Sequence, residues 1–314
     1  MMRAGGRGRR VAVIALWFAL VGVAWAETLT VATYNLENYV AANRVVEGVY
    51  REGYPKPEAA KAALRAVIKA LDADVIALQE IGPRPYLEEL RRDLKSEGVD
   101  YPYVEWIEAA DTERHVAVLS RRAFTAVTKH VDLTFAYFGK EERVKRGLLE
   151  VRVASAGGEV ALFVVHLKSR YTDRADDVES AKRRAGEAEA VRERVLRVFP
   201  EPEAVQARYL IVGDFNDGPG ARPLRALSAR GKTTIAEVLA AMDSRGETWT
   251  HFYRKEDSYS RVDYVLVSPR LKPAVVGGVA AIFDEAGVRE ASDHRPVVVR
   301  LDFGRWSSDV QPAR

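Results

Sequence analysis

LLEVRVASAGGEVALFVVH, residues 148–166, holds two apolar, β-branched runs, Leu148–Val153 and Val160–His166, joined only by the turn-forming stretch Ser155–Gly158. Such runs favour strands, and a turn-length connection joins strands that lie side by side and antiparallel. A purely parallel, doubly wound sheet is therefore excluded, because its neighbours need a long crossover. Similar runs recur outward from this hairpin at Leu29–Tyr34, Val75–Leu78, Val116–Leu119, Tyr209–Val212, Val262–Val267 and Pro296–Leu301. Helical spacing is clearest at Glu58–Leu71, at Tyr86–Leu94 and in the charged stretch Asp173–Phe199, where a solvated helix face is expected. These elements predict an α/β (α+β) chain with a two-sheet core and outer helices.

The chain of 314 residues is 47% hydrophobic and 30% charged, which suits a globular core and not a disordered segment. Arg3, Arg7, Arg9 and Arg10 precede an apolar run, Val11–Val23, that ends in Ala24-Trp25-Ala26. That pattern predicts a cleaved signal peptide over 1–26 and export to the periplasm or beyond. Loss of four arginines and no acidic residue takes the formal net charge from +3 to −1, so global charge gives no argument for nucleic acid. The absence of cysteine excludes disulfides, thiolate metal sites and cysteine nucleophiles. One domain is expected over 27–303, with a polar tail over 304–314.

Polar residues able to bind metal recur where an apolar strand ends. Asn35 and Glu37 follow one run, Glu80 a second, His166 and Lys168 a third, and Asp214, Asn216 and Asp217 a fourth. Strand ends are where α/β sheets place their sites. Each residue alone could be a helix cap or a turn closer. Together their hard oxygen donors suit Mg²⁺, with Mn²⁺ or Ca²⁺ as alternatives, and Glu80 is the first-choice ligand. Ser292-Asp293-His294 places an imidazole beside a carboxylate before the last strand, and Asp263 opens an apolar strand where an unpaired charge is costly. A histidine is its expected partner.

Taken in order, TYNLEN (33–38), LQE (78–80), HLKS (166–169), GDFND (213–217), RVDYVLVS (261–268) and SDHRPV (292–297) resemble the endonuclease/exonuclease/phosphatase superfamily. Its members include deoxyribonuclease I, exonuclease III, neutral sphingomyelinases and inositol polyphosphate phosphatases. The resemblance implies a four-layer α/β sandwich, two mixed β-sheets packed face to face between outer helices. It implies metal ligation by Glu80 with Asn35 and Glu37 beside it, supported by Asp293. It also implies water activation by Asp214 with Asn216, phosphate contact by His294, orientation of a histidine by Asp263, and a general acid or phosphate contact at His166. Arg146 resembles a phosphate-binding arginine, with Lys168 as a second substrate contact. Glu37 departs from the aspartate of several members, and His115 stands where a small residue is common; His115 is expected to fill space.

The resemblance leads to an expected phosphoric ester hydrolase, with nucleic acid as substrate ahead of phospholipid or inositol phosphate. No obligate protein partner is expected, and the chain is expected to be a monomer. A basic rim is expected at Arg114, Arg121, Arg122, Lys140 and Arg146, and Thr134–Phe138 offers a small apolar hairpin of the kind a lipid hydrolase would present. A non-catalytic binding module should lack some of Glu80, Asp214, Asn216, Asp263 and His294, and all five are present.

Overall fold

The computed structural model describes residues 28–304, so the expected leader and nearly all of the tail lie outside the described residues. Strands Leu148–Ser155 and Gly158–His166 pair antiparallel, closing at Ser155↔Gly158. The second of them runs parallel to Tyr209–Asp214 on its other edge. The sheet is therefore mixed. Its six strands lie in the order Glu237–Val238, Asp263–Val267, Tyr209–Asp214, Gly158–His166, Leu148–Ser155, Phe124–His130. A seven-stranded sheet is ordered Ala241–Met242, Ala280–Ile282, Val297–Asp302, Thr28–Tyr39, Val75–Ile81, His115–Ser120, Tyr103–Trp106.

Side-chain alternation along the strands builds four layers. Val31, Val75 and Val116 of one sheet meet Val151, Leu162, Val212 and Val265 of the other in an apolar core between the sheets. Their neighbours Ala32, Ile76 and Ala117 point outward onto Leu64 and Ile68 of helix Glu58–Leu71 and Leu87 and Leu90 of helix Arg84–Ser96. Phe163, Val165 and Ile211 point outward from the second sheet onto Ala188, Val191 and Val195 of helix Ala181–Val198. Both faces of each central strand are thus buried, which is why these strands read as continuous apolar runs. No helix among the described residues is long and apolar enough to cross a membrane.

The charged stretch 173–199 departs from expectation in two ways. The helix begins only at Ala181, because Glu179 and Ser180 take left-handed backbone angles and the Asp177 carboxylate receives the Lys182 and Arg183 amides at 2.8 and 3.1 Å. Its inner face is also charged and buried instead of solvated. Glu187 is fully enclosed and accepts the Lys145 and Lys168 amides at 3.2 and 2.7 Å, while Arg184 reaches Asp217 at 2.9 Å. Apolar spacing cannot reveal charges whose partners lie on distant loops.

One glycine is indispensable to the meeting of the strands. Gly213 has a φ of 144°, and a Cβ there would lie 1.9 Å from the Val165 carbonyl oxygen on the paired strand. Gly213→Ala is expected to destabilise the fold by more than about 4 kcal/mol in a urea titration, since backbone on backbone leaves nothing to yield. A variant within about 1 kcal/mol of the parent would contradict the close approach.

Candidate active site

Register sets the first row of the site. His166, Asp214 and Asp263 are direct partners across three adjacent strands of the six-stranded sheet. Asn35 and Glu80 come from the ends of the two parallel strands Thr28–Tyr39 and Val75–Ile81 in the other sheet. The sheets meet where the Asn35 side-chain Nδ2 donates to Asp214 Oδ2 at 3.0 Å. Glu37, Asn38, Glu80 and Asn216 all have positive φ, between 48° and 60°. Non-glycine residues seldom adopt this region, and such strain concentrates at functional sites.

Asp214 is enclosed and accepts three hydrogen bonds. Its Oδ1 accepts the Asn216 amide at 2.7 Å, and its Oδ2 also accepts the Asn216 side chain at 3.2 Å. Burial, the nearby Asp263 charge and, to a lesser degree, Glu80 push its carboxyl up to about 7, against the pull of His294 and the Asn216 amide. His294 lies opposite, with Nδ1 2.8 Å from Asp263 Oδ2 and Nε2 4.0 Å from Asp214 Oδ2. Burial alone would lower its pKa, but Asp263, Asp293 and Asp214 outweigh burial and raise it well above the ordinary histidine value. The histidine beside Asp263 is thus His294. His166 has the opposite electrostatics. Burial and the cations Arg146, His294, Arg114 and Lys168 hold its pKa well below the ordinary value, leaving a neutral ring with Nε2 3.7 Å from Asp214 and 3.9 Å from Glu80. A neutral imidazole suits phosphate contact better than donation of an acidic proton.

The expected metal ligands separate into two groups. Glu80 lines an open cleft, its Oε2 held by the Asn38 amide at 2.8 Å. Asn35 Oδ1 accepts the Glu37 amide at 3.0 Å. The Glu37 carboxylate is turned to Lys56, with Nζ 3.2 Å from Oε2. Asp293 faces His251 and His294 at 3.7 and 3.9 Å. Ligand atoms of His251, Asp293 and His294, and of Asp214, Asp263 and His294, each lie within 4.8 Å of one another. Glu80 and Glu37 belong to neither trio. The donor set still suits a divalent cation, because Glu80 from one sheet and Asp214 from the other lie 3.9 and 3.7 Å from the same His166 Nε2.

Beside Glu80 and His166 lies a cleft of about 430 Å³ with five cations in its wall, Arg114, Lys145, Arg146, Lys168 and Arg183. Arg146 is 7% exposed, lies 2.9 Å from Asp111 through Nε, and has no hydrogen-bond partner for Nη1. Lys168 bends back onto its own loop, with Nζ 3.1 Å from the Ser169 carbonyl. Burial, Arg146 and Lys145 lower its pKa to about 8. The expected basic rim is thus only partly realised. Arg114 and Arg146 reach the cleft, Lys140 sits on a hairpin with Thr134–Tyr137, and Arg121 and Arg122 pair with Asp72 and Asp74 at the far end of the sheet. His115 packs its ring against Trp106 at 4.5 Å, as a filler would. The expected apolar hairpin is flanked by cations, with Arg174 4.2 Å and Lys182 4.6 Å from the ring centre of Phe138, which stays 42% exposed.

Three contributors escaped sequence reading. Lys56 neutralises Glu37, Thr250 Oγ1 accepts the Val262 and Asp263 amides at 3.0 Å, and His251 packs its ring 4.5 Å from that of His294. Thr250 and His251 lie beside Trp249 in a stretch whose pairing with Ser258–Ser260 could have signalled a hairpin before Asp263.

The sequence profile of the Endonuclease/Exonuclease/phosphatase family matches residues 32–294. No curated protein matches the chain by sequence. Among solved structures, a Staphylococcus aureus beta toxin is 16% identical with a TM-score of 0.61, over 86% of this chain and 99% of that one. A second beta toxin structure, a double mutant with bound magnesium ions, is 16% identical with a TM-score of 0.59, over 86% and 98% of the two chains. Sphingomyelinase C from Streptomyces griseocarneus is 16% identical with a TM-score of 0.58, over 88% and 99% of the two chains. Truncated Caenorhabditis elegans TDP2 is 16% identical with a TM-score of 0.56, over 88% and 97% of the two chains. At these identities the likeness is one of fold.

Proposed function

Because the chain belongs to the endonuclease/exonuclease/phosphatase family, we propose that it is an exported, divalent-metal-dependent phosphodiesterase that hydrolyses nucleic acid. The observation that carries the hydrolase reading is the aligned row His166, Asp214 and Asp263 facing His294. Asp214, raised to about 7, has the proton affinity of a base that works near neutral pH. Asn35 and Asn216 hold its carboxylate in place to draw a proton from an attacking water. His294, kept charged and oriented by Asp263, directs its Nε2 proton at the phosphoryl oxygen on which charge accumulates. His166 and Arg146 contact the same phosphate from the cationic side. A Mg²⁺ ion held by Glu80 and Asn35, with Asp293 in support, would supply Lewis-acid neutralisation of phosphoryl charge.

The five cations of the cleft outnumber its three carboxylates, Glu80, Asp111 and Asp173, and this excess favours a polynucleotide over a choline lipid. A second phosphate is attracted into such a wall, and a quaternary ammonium is repelled. Export rests on the basic and apolar start of the sequence with its Ala-Trp-Ala end. Mature protein given Mg²⁺, Mn²⁺ or Ca²⁺ is expected to cut supercoiled plasmid, whose underwound strands open locally, and to leave sphingomyelin vesicles intact. Release of choline phosphate with plasmid uncut would replace the nuclease reading with a lipid one. The Lys145→Ala, Arg183→Ala double variant is expected to raise KM for nucleic acid about tenfold and to flatten its salt dependence, because fewer counterions are released. An unchanged salt slope would remove the cleft from the substrate path.

A further inference from the structure

On the other side of Asp293 lies a second cleft whose chemistry differs from the cationic one. Strands His251–Tyr253 and Ser258–Ser260 form a hairpin in which Phe252 pairs with Tyr259. Side chains alternate along a strand, so His251 and Phe252 leave opposite faces. His251 turns to Asp293 and His294. Phe252 turns away and stacks on Tyr259, with ring centres 4.7 Å apart and planes 28° apart, and Trp249 meets Tyr259 edge-on at 4.8 Å. Arg289 closes the group, 5.0 Å from the Phe252 ring centre and donating to the Tyr259 hydroxyl at 2.9 Å.

This aromatic face lines a cleft of about 620 Å³ together with Asp293. Tyr259 is 48% exposed. The cleft borders the reaction centre, because Asp293 lines it and its Oδ1 lies 3.9 Å from His294 Nε2. Arg254 and Arg289 on its rim are offset by Asp257 and Glu290. A phosphate gains little from a rim of balanced charge. A flat, neutral ring with polar edges gains from both the aromatic floor and the rim.

We propose that this cleft binds a nucleobase of the substrate strand beside the scissile phosphate, so that the strand enters unpaired. The inference rests on the nuclease reading and adds the substrate class to it. A base within a duplex is stacked on both faces and cannot reach a floor between a hairpin and helix Val288–Ala291 without leaving its pair. Phosphates of the same strand would then occupy the cationic cleft on the opposite side of the centre.

The test uses the full mature protein in chelator and a single-stranded oligonucleotide carrying 2-aminopurine, whose fluorescence is quenched on stacking. Binding with quenching is expected. Tyr259→Ala is expected to weaken it at least about tenfold, Tyr259→Phe is expected to retain it, and a strand of the same length with base-free sugars is expected to bind the parent protein as weakly as the base-bearing strand binds Tyr259→Ala. With cation restored, the single strand is expected to be cut at least about tenfold faster than its duplex. Equal binding of base-bearing and base-free strands, or no effect of Tyr259→Ala, would overturn the base site even if cleavage is seen. Quenching without cleavage would keep the base site and overturn the nuclease reading.

Discussion

Asp214→Asn is expected to abolish turnover by about 10²–10⁴-fold and, at the same time, to raise the melting temperature. The two effects share one cause. The carboxyl is pushed up from the ordinary 3.8 to about 7, chiefly by burial and by Asp263, so the folded protein holds this proton more tightly than the unfolded chain does. For a group raised in this way, the stabilising contribution is fully present below 3.8 and is lost as pH rises through about 7. Above that point the fold carries the whole cost of a buried carboxylate, at most about 4 kcal/mol at about 1.4 kcal/mol per pH unit. An amide at the same position carries no charge and removes that cost. The Asn35 and Asn216 side chains donate to Oδ2 and the Asn216 backbone amide to Oδ1, and an amide can accept on only one of the two sides, so the gain is reduced to about 1–3 kcal/mol, or about 2–8 °C. Thermal denaturation should show the variant and its parent close together at pH 4 and furthest apart at pH 8. A variant that melts lower than its parent at pH 8 would contradict the electrostatic reading of Asp214.

His294→Ala is expected to lower turnover about 10²–10³-fold and to destabilise the protein by about 3–5 kcal/mol. The second effect follows from what is left behind. Asp263 is 1% exposed, its Oδ2 depends on His294 Nδ1 at 2.8 Å, and its Oδ1 has no hydrogen-bond partner. Removing the imidazolium strands a buried carboxylate. Adding Asp263→Asn to His294→Ala should recover most of the lost stability and none of the activity, a coupling that a double-mutant cycle isolates. If the two substitutions destabilise additively, Asp263 is not held for the sake of His294.

The fold was legible in sequence because its central strands are buried on both faces and so appear as unbroken apolar runs. The hairpin 148–166 was enough to reject a parallel sheet, and the register of its second strand with Tyr209–Asp214 and Asp263–Val267 carries the site. Asp214, His166, Asp263 and Asn35 were legible because each ends or opens such a run. Lys56 and Thr250 were not, since each acts by contact with a residue distant in sequence or by a backbone hydrogen bond that no spacing encodes. The same limit misplaced Arg121 and Arg122. Strand His115–Ser120 runs antiparallel to Val75–Ile81, so residues beyond Ser120 emerge at the end opposite Glu80. The buried charges of helix Ala181–Val198 illustrate a further gap. A solvated face and a buried polar network look alike in composition, and only the position of Lys145, Lys168 and Asp217 separates them.

In the proposed reaction Asp214 takes the proton and His294 meets the phosphate. Activity should rise as pH increases through about 7, while Asp214 loses its proton and His294 keeps its own. The central claim is that a water prepared by Asp214 attacks phosphorus. Single-turnover cleavage of a single-stranded oligonucleotide in ¹⁸O-labelled water, with divalent cation present, tests this most directly. The expected result is one labelled oxygen in the new terminal phosphate with the parent protein and no labelled product with Asp214→Asn; label absent from the phosphate, or formed by Asp214→Asn at the parental rate, would contradict it.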